Sequence, residues 1–204
     1  MFHPDKPLGK ILSSLFDQMM LSILFLICSM PIVTMGAAAI ALYEVQFSIQ
    51  EYRDTNVFKM YFVSFWKNLK SGLLTMLLLL LVAVAAIGIL SSTMMLNLPI
   101  KTVVIILVAV VLCIDSWLIP LLARFDQKFL ITFQNAYLLS FQKLPITFAM
   151  SLINALPFLL IWITPDELMN GFVFISLFLF PGYASLACSG LFLQAIEKLN
   201  VNTP

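Results

Sequence analysis

The chain has 204 residues, of which 62% are hydrophobic and 10% charged, with a formal net charge of +1 and a mean hydropathy of +1.05. Soluble domains run at roughly 45–50% apolar and about 25% charged residues. This chain therefore has too little polar surface to cover a water-facing globule, and its low charge excludes a disordered chain. Without a basic surplus there is no electrostatic footprint for nucleic acid. At roughly 20 apolar residues per crossing, the composition fills about six helical spans.

The first apolar run covers residues 15–30 and stops at Pro31. Lys6 and Lys10 precede it and Ala37-Ala38-Ala39 follow it, which mimics a cleavable leader. Asp5 and Asp17 dilute the leading charge, and apolar character continues to Ile49, so the residues argue against cleavage. Pro31 and Gly36 mark a turn. The second run, 37–49, is short and rich in alanine; it either returns through the membrane or lies along its surface. Ala37 and Ala41 form a small-xxx-small pair suited to close helix approach.

A stretch over 56–70 places Val57, Phe58, Tyr61, Phe62, Phe65, Trp66 and Leu69 on one helical face, with Lys59, Lys67 and Lys70 mostly off it. The third run, 72–95, holds five consecutive leucines and closes at Asn97-Leu98-Pro99. The fourth, 102–122, carries Asp115. A second amphipathic stretch over 125–144 puts Phe125, Phe129, Leu130, Phe133, Tyr137, Leu138, Phe141 and Leu144 on one face, with Lys128 and Lys143 off it. The fifth run, 146–163, ends at Thr164-Pro165, and the sixth, 172–195, contains Pro181-Gly182. Aromatic helices with lysine on the polar side suit the membrane interface, or pack on the spans as linkers; both uses are compatible. Tyr61 and Ser64-Phe65-Trp66-Lys67 recur 76 residues later as Tyr137 and Ser140-Phe141-Gln142-Lys143, a hint of a diverged duplication.

Lysine and arginine set orientation by their excess on the cytoplasmic side. Six crossings with an internal N-terminus put ten of the eleven inside; five crossings with an external N-terminus put eight inside and three outside. The six-crossing arrangement is preferred. It places both amphipathic helices and both termini in the cytoplasm.

Asp115 is the polar residue deepest in a span, where a carboxylate costs at least ~2.5 kcal/mol by insertion scales. It reads as a contact for substrate, ion or proton, or as a structural anchor near Trp117 and Pro120. Arg124 is nine residues on, about 13.5 Å along a helix, too far for an intrahelical pair. Asp17 and Glu44 read as interfacial. Ser151 and Asn154 share one side of the fifth run and suit interhelical hydrogen bonding. Cys28, Cys113 and Cys188 each sit within an apolar run and read as free buried thiols. The sole histidine is His3, no phosphate-binding glycine loop is present and no cysteine spacing matches a metal site. These residues point to a non-enzymatic protein without cofactor or metal.

The block Ser29-Met30-Pro31-Ile32-Val33-Thr34-Met35-Gly36-Ala37, followed by Ala41-Leu42-Tyr43, resembles the YesL-like family of bacterial membrane proteins, also called DUF624. Phe62-x-x-Phe65-x-Lys67-Asn68 is similar to that family's second recurring block. Size and span pattern agree over nearly the whole chain. The resemblance implies a multi-pass protein of the bacterial cytoplasmic membrane, encoded near carbohydrate uptake and polysaccharide degradation functions, with no catalytic residues to carry over. Pro31, Thr34 and Gly36 match the family block and become candidate functional residues; a shaped turn between two helices is the plainer use for them. The resulting expectation is an all-α membrane protein that assists or regulates carbohydrate uptake, in contact with the lipid bilayer and with a sugar transporter complex or a second copy of itself. A small secondary transporter and a membrane-embedded sensor or scaffold are the alternatives.

Overall fold

The computed structural model describes residues 7–51, 56–92, 98–125, 127–163 and 166–200, with side chains described for all of these except 7–12, 89–92, 98–101, 105, 158–163, 166–178 and 198–200. The expected tail charge at Lys6, the end of the third run at Met95, the Asn97 turn and Thr164-Pro165 lie outside the described residues. The described chain is all-α: α1 (Pro7–Ser29), α2 (Met35–Glu51), α3 (Val57–Lys67), α4 (Leu69–Ser92), α5 (Leu98–Arg124), α6 (Phe129–Gln142), α7 (Leu144–Ile163) and α8 (Asp166–Asn200). Four stretches are long and apolar enough to cross a membrane: Ile32–Glu51, Leu69–Gly88, Thr102–Arg124 and Leu179–Glu197. The α6–α7 pair, bent by 106°, makes a fifth if counted as one span, and the apolar part of α1, Ser13–Ser29, is shorter. The protein is thus a polytopic helical membrane protein.

The organising element is α2, which the sequence marked as short and rich in small residues. It packs against α1, α3, α4, α5 and α8. Ala37, Ala38 and Ala41 have no exposure at all, because side chains this small let neighbouring backbones close in. The tightest approach is at its first turn: a Cβ on Gly36 would sit 2.2 Å from the Gly72 carbonyl oxygen, and one on Gly72 would sit 2.2 Å from the Ala37 nitrogen. One side of α2 joins Ile40, Tyr43 and Phe47 to Trp117 and Leu118 of α5 and Phe192 of α8. The other joins Ala38, Ala41 and Val45 to Leu21 and Leu24 of α1 and Tyr61 and Phe65 of α3.

Each amphipathic helix ends in a corner that leads into an apolar helix. Asn56 caps α3, its side-chain oxygen accepting from Lys59 N–H at 3.3 Å. A single residue, Asn68, separates α3 from α4. Lys143 plays that part between α6 and α7, and Pro145 falls in the first turn of α7, where its missing N–H is tolerated. In α3 the buried residues are Val57, Tyr61, Ser64 and Phe65, with Phe58, Val63 and Trp66 exposed. In α6 the aromatic stripe divides, with Phe129 and Phe133 packed against the core and the rest turned away from it. Thr132, Ala136 and Ser140 are the buried residues, and Leu130, Tyr137, Leu138 and Phe141 point outward. A small-residue face fits closely against α5, which leaves the bulky apolar face to a non-aqueous surround.

Pro181 does not break α8; the helix runs through it. The adjacent Gly182 lets α1 in, since a Cβ there would meet the Gln18 carbonyl oxygen at 2.4 Å. Ser22 of α1 then serves the helix at the proline. Its hydroxyl accepts from Gly182 N–H at 2.9 Å and lies 3.4 Å from the Leu179 carbonyl. Backbone groups freed near a membrane proline are re-satisfied in this way by neighbours. Ser22→Ala is expected to lower stability by about 1 kcal/mol, measured as a reduced thermal midpoint in mild detergent, with Ser22→Thr losing less.

Candidate functional site

The polar groups within the bundle gather around α2 and its neighbours. Asp115 lies on α5 within electrostatic range of Tyr43 of α2, and Tyr43 also meets Cys188 of α8. Its Oδ1 is buried without a hydrogen-bond partner. In an environment of side chains rather than water, such an acceptor is costly to leave unmade. One residue on, Ser116 shares a hydrogen bond with Ser151 of α7 at 3.2 Å, and Ser151 lies 3.7 Å from the Cys113 sulfur. Asn154 is exposed on α7, with only its Oδ1 near the core, 4.0 Å from the Cys188 thiol. The structure therefore brings Asp115 to the α2–α5–α8 junction and leaves Asn154 at its rim. Cys28 and Cys188 are buried free thiols, while Cys113 is half-buried.

Several polar residues not singled out from the sequence prove central. Gln46 of α2 and Gln18 of α1 are fully buried, and all four of their side-chain polar atoms lack partners. Gln50 donates to the Ser189 hydroxyl at 2.7 Å, tying α2 to α8. Trp117 donates its indole N–H to Thr147 at 2.8 Å, and Thr147 donates to the Ser140 or Lys143 carbonyl at 3.0 Å, which ties the α6–α7 corner to α5. The one signal for this seam is the spacing of Tyr43, Gln46 and Gln50, which repeats along one side of α2.

Glu44, read from the sequence as an interfacial residue, has a different role. It sits in mid-α2 with its Oε2 accepting from Ser64 and from Asn68, each at 2.6 Å, and its Oε1 3.6 Å from Lys67. One carboxylate thus holds the α3–α4 corner. Lys59, Lys67, Lys70 and Lys128 are exposed, and Lys143 is half-buried at its corner. At the end of α5, Arg124 pairs with Glu51 and lies over the Phe47 ring, 5.7 Å from its centroid. An open depression of about 310 Å³ lies beside it, lined by Phe125, Gln127, Thr132, Asn135 and Gln142 among others. Among the described residues no group of three or more metal-ligating side chains comes together.

The sequence-matched turn has a definite shape. Pro31 is exposed and extended (φ −76°, ψ 116°) and opens a 3-10 turn over Ile32–Thr34. The Thr34 hydroxyl lies 2.7 Å from the Cys28 carbonyl and 2.8 Å from the Pro31 carbonyl. Gly36 is buried at the contact with Gly72. The three residues form no chemical centre: Pro31 stops α1, Thr34 stitches the turn and Gly36 admits α4.

No curated protein and no solved structure matches the chain. Residues 18–89 match the family described as a protein of unknown function, DUF624. That stretch holds the α1–α2 turn, the α2 small-residue face, the Glu44 corner and most of α4, so the features that build the centre of the bundle lie in the part of the chain that is similar to DUF624 proteins.

Proposed function

We propose that this is a non-enzymatic, multi-pass protein of the bacterial cytoplasmic membrane that assists or regulates carbohydrate uptake by packing against a permease, with both termini cytoplasmic. The family resemblance supplies the setting, and the distribution of lysine and arginine supplies the orientation. The observation that carries the reading is the bare apolar pair α4–α5. Leu77, Leu81, Val84 and Ile87 of α4, with Val103 and Ile106 of α5, are exposed along a length that the protein's own fold scarcely covers. Such a pair offers a helical surface to another membrane protein as well as to lipid. Purification in a gentle detergent should recover a sugar permease with the protein, and uptake in a deletion strain should fall only where that permease is present. Unchanged uptake on every sugar tested sinks the reading.

The buried Asp115 Oδ1, which has no hydrogen-bond partner, favours a second reading, a small secondary transporter in its own right, since intramembrane ionisable groups mark solute and proton paths. On that reading Asp115→Asn abolishes uptake while the protein still inserts and folds. On the accessory reading Asp115→Asn leaves permease-dependent uptake largely intact.

A further inference from the structure

We infer that α1 and α2 form a re-entrant hairpin whose tip, Met30–Met35, ends among lipid acyl chains inside the bilayer instead of reaching the far surface. Three registers against neighbouring helices lead there. First, Gly36 and Ala37 touch Gly72, only the fourth residue of α4, so the tip lies level with the beginning of that helix. Another 20 residues, about 30 Å at 1.5 Å per residue, carry α4 on past the tip to Ser92. Second, Glu51 pairs with Arg124, so the start of α2 at Met35 lies about 24 Å back along its axis, while α5 extends about 39 Å back to Leu98. Third, Ser22 meets Gly182, which puts Ser29 about 10 Å further along α8, still short of Asp166 by about 13 Å.

The chemistry of the tip agrees with this placement. It carries no charge, and its large side chains point outward: Met30 is 86% exposed, Ile32 63% and Val33 59%. Its hydroxyls are turned back onto backbone carbonyls, Ser29 onto Leu26 and Thr34 onto Cys28 or Pro31. A turn bathed in water needs neither feature, whereas one in hydrocarbon must satisfy its polar groups internally. The six-crossing reading placed this turn on the outer surface. A re-entrant hairpin leaves α4, α5, α7 and α8 as the crossings and keeps the same distribution of lysine and arginine, because both counts are even. The side from which the hairpin enters rests on the orientation proposed above; contact of the tip with lipid does not.

A nitroxide on Val33→Cys in the full-length protein, reconstituted in phosphatidylglycerol–phosphatidylethanolamine vesicles, tests this. The unsubstituted protein accounts for labelling of the native thiols. Met30→Cys repeats the measurement at the most exposed position of the turn, should the first variant fold poorly. Collision with oxygen is expected to exceed collision with a water-soluble nickel chelate several-fold. In intact cells an impermeant maleimide is expected to leave Val33→Cys unlabelled while labelling Asn97→Cys, between α4 and α5. A nickel-dominated collision profile, or labelling of Val33→Cys from outside, overturns the inference. Failure to label Asn97→Cys counts against the orientation alone, because the nitroxide still reports whether the tip is in lipid.

Discussion

Gly72→Ala is expected to destabilise the protein by about 3 kcal/mol, the upper part of the range for overpacked sites. The added Cβ would lie 2.2 Å from the Ala37 nitrogen and 2.3 Å from its Cα. Both are backbone atoms, so no side chain can rotate away to make room, and α2 and α4 must separate along their contact. Within a membrane that separation is not resisted by a hydrophobic penalty, since lipid covers the exposed faces as well as protein does. What is lost is van der Waals contact and the geometry of everything α2 organises. Gly36→Ala meets the Gly72 carbonyl oxygen at the same distance and should behave alike. Gly190→Ala, where nothing lies within 4 Å of the new carbon, should leave stability unchanged or slightly improved. Thermal unfolding in mild detergent separates these outcomes; equal midpoints for Gly72→Ala and Gly190→Ala would show that the close approach does not matter to folding.

Glu44→Ala is expected to cost about 2–3 kcal/mol, chiefly because it strips the acceptor from buried donors at the α3–α4 corner. Asn68 keeps its bond to the Ser64 carbonyl at 3.0 Å, but the Ser64 hydroxyl and the second Asn68 contact lose their short bonds to the carboxylate. Glu44→Gln retains one acceptor oxygen and should lose about half as much. The lysine is the lesser partner. Lys67 is half exposed and 3.6 Å from the carboxylate, so Lys67→Ala should cost under about 1 kcal/mol. Urea titration in detergent of the three variants ranks them. If Lys67→Ala proves as damaging as Glu44→Ala, the ion pair and not the hydrogen bonds holds the corner.

The two effects share a cause that bears on the family match. The matched stretch, residues 18–89, spans both the Gly36–Gly72 contact and the Glu44 corner. The Pro31–Gly36 block stood out in the sequence as a candidate functional motif, and in the structure its residues shape a turn and a helix crossing. A motif can recur because the backbone needs it, as Gly36 does to admit α4 without a side chain between them.

The amino-acid sequence alone sets the class and the helical runs. Apolar stretches of this length have few stable conformations in a bilayer, because every backbone polar group must be bonded within the chain. It also separated the two amphipathic stretches from the spans, since a lysine-bearing face has a 3.6-residue period that can be read directly. Which faces meet is set by packing between distant helices. In a membrane, apolar character does not say whether a side chain touches lipid or protein, so both uses stood open for the aromatic face of α6; its fully buried residues proved to be Thr132, Ala136 and Ser140, with Phe129 and Phe133 partly buried beside them. Nor does composition carry register. That Glu44 reaches Ser64 and Asn68, that Ser22 reaches Gly182, and that the α1–α2 tip lies level with the start of α4 depend on how helices slide against one another. Close packing of small residues and a few hydrogen bonds set that slide, and these contacts join residues far apart in the chain.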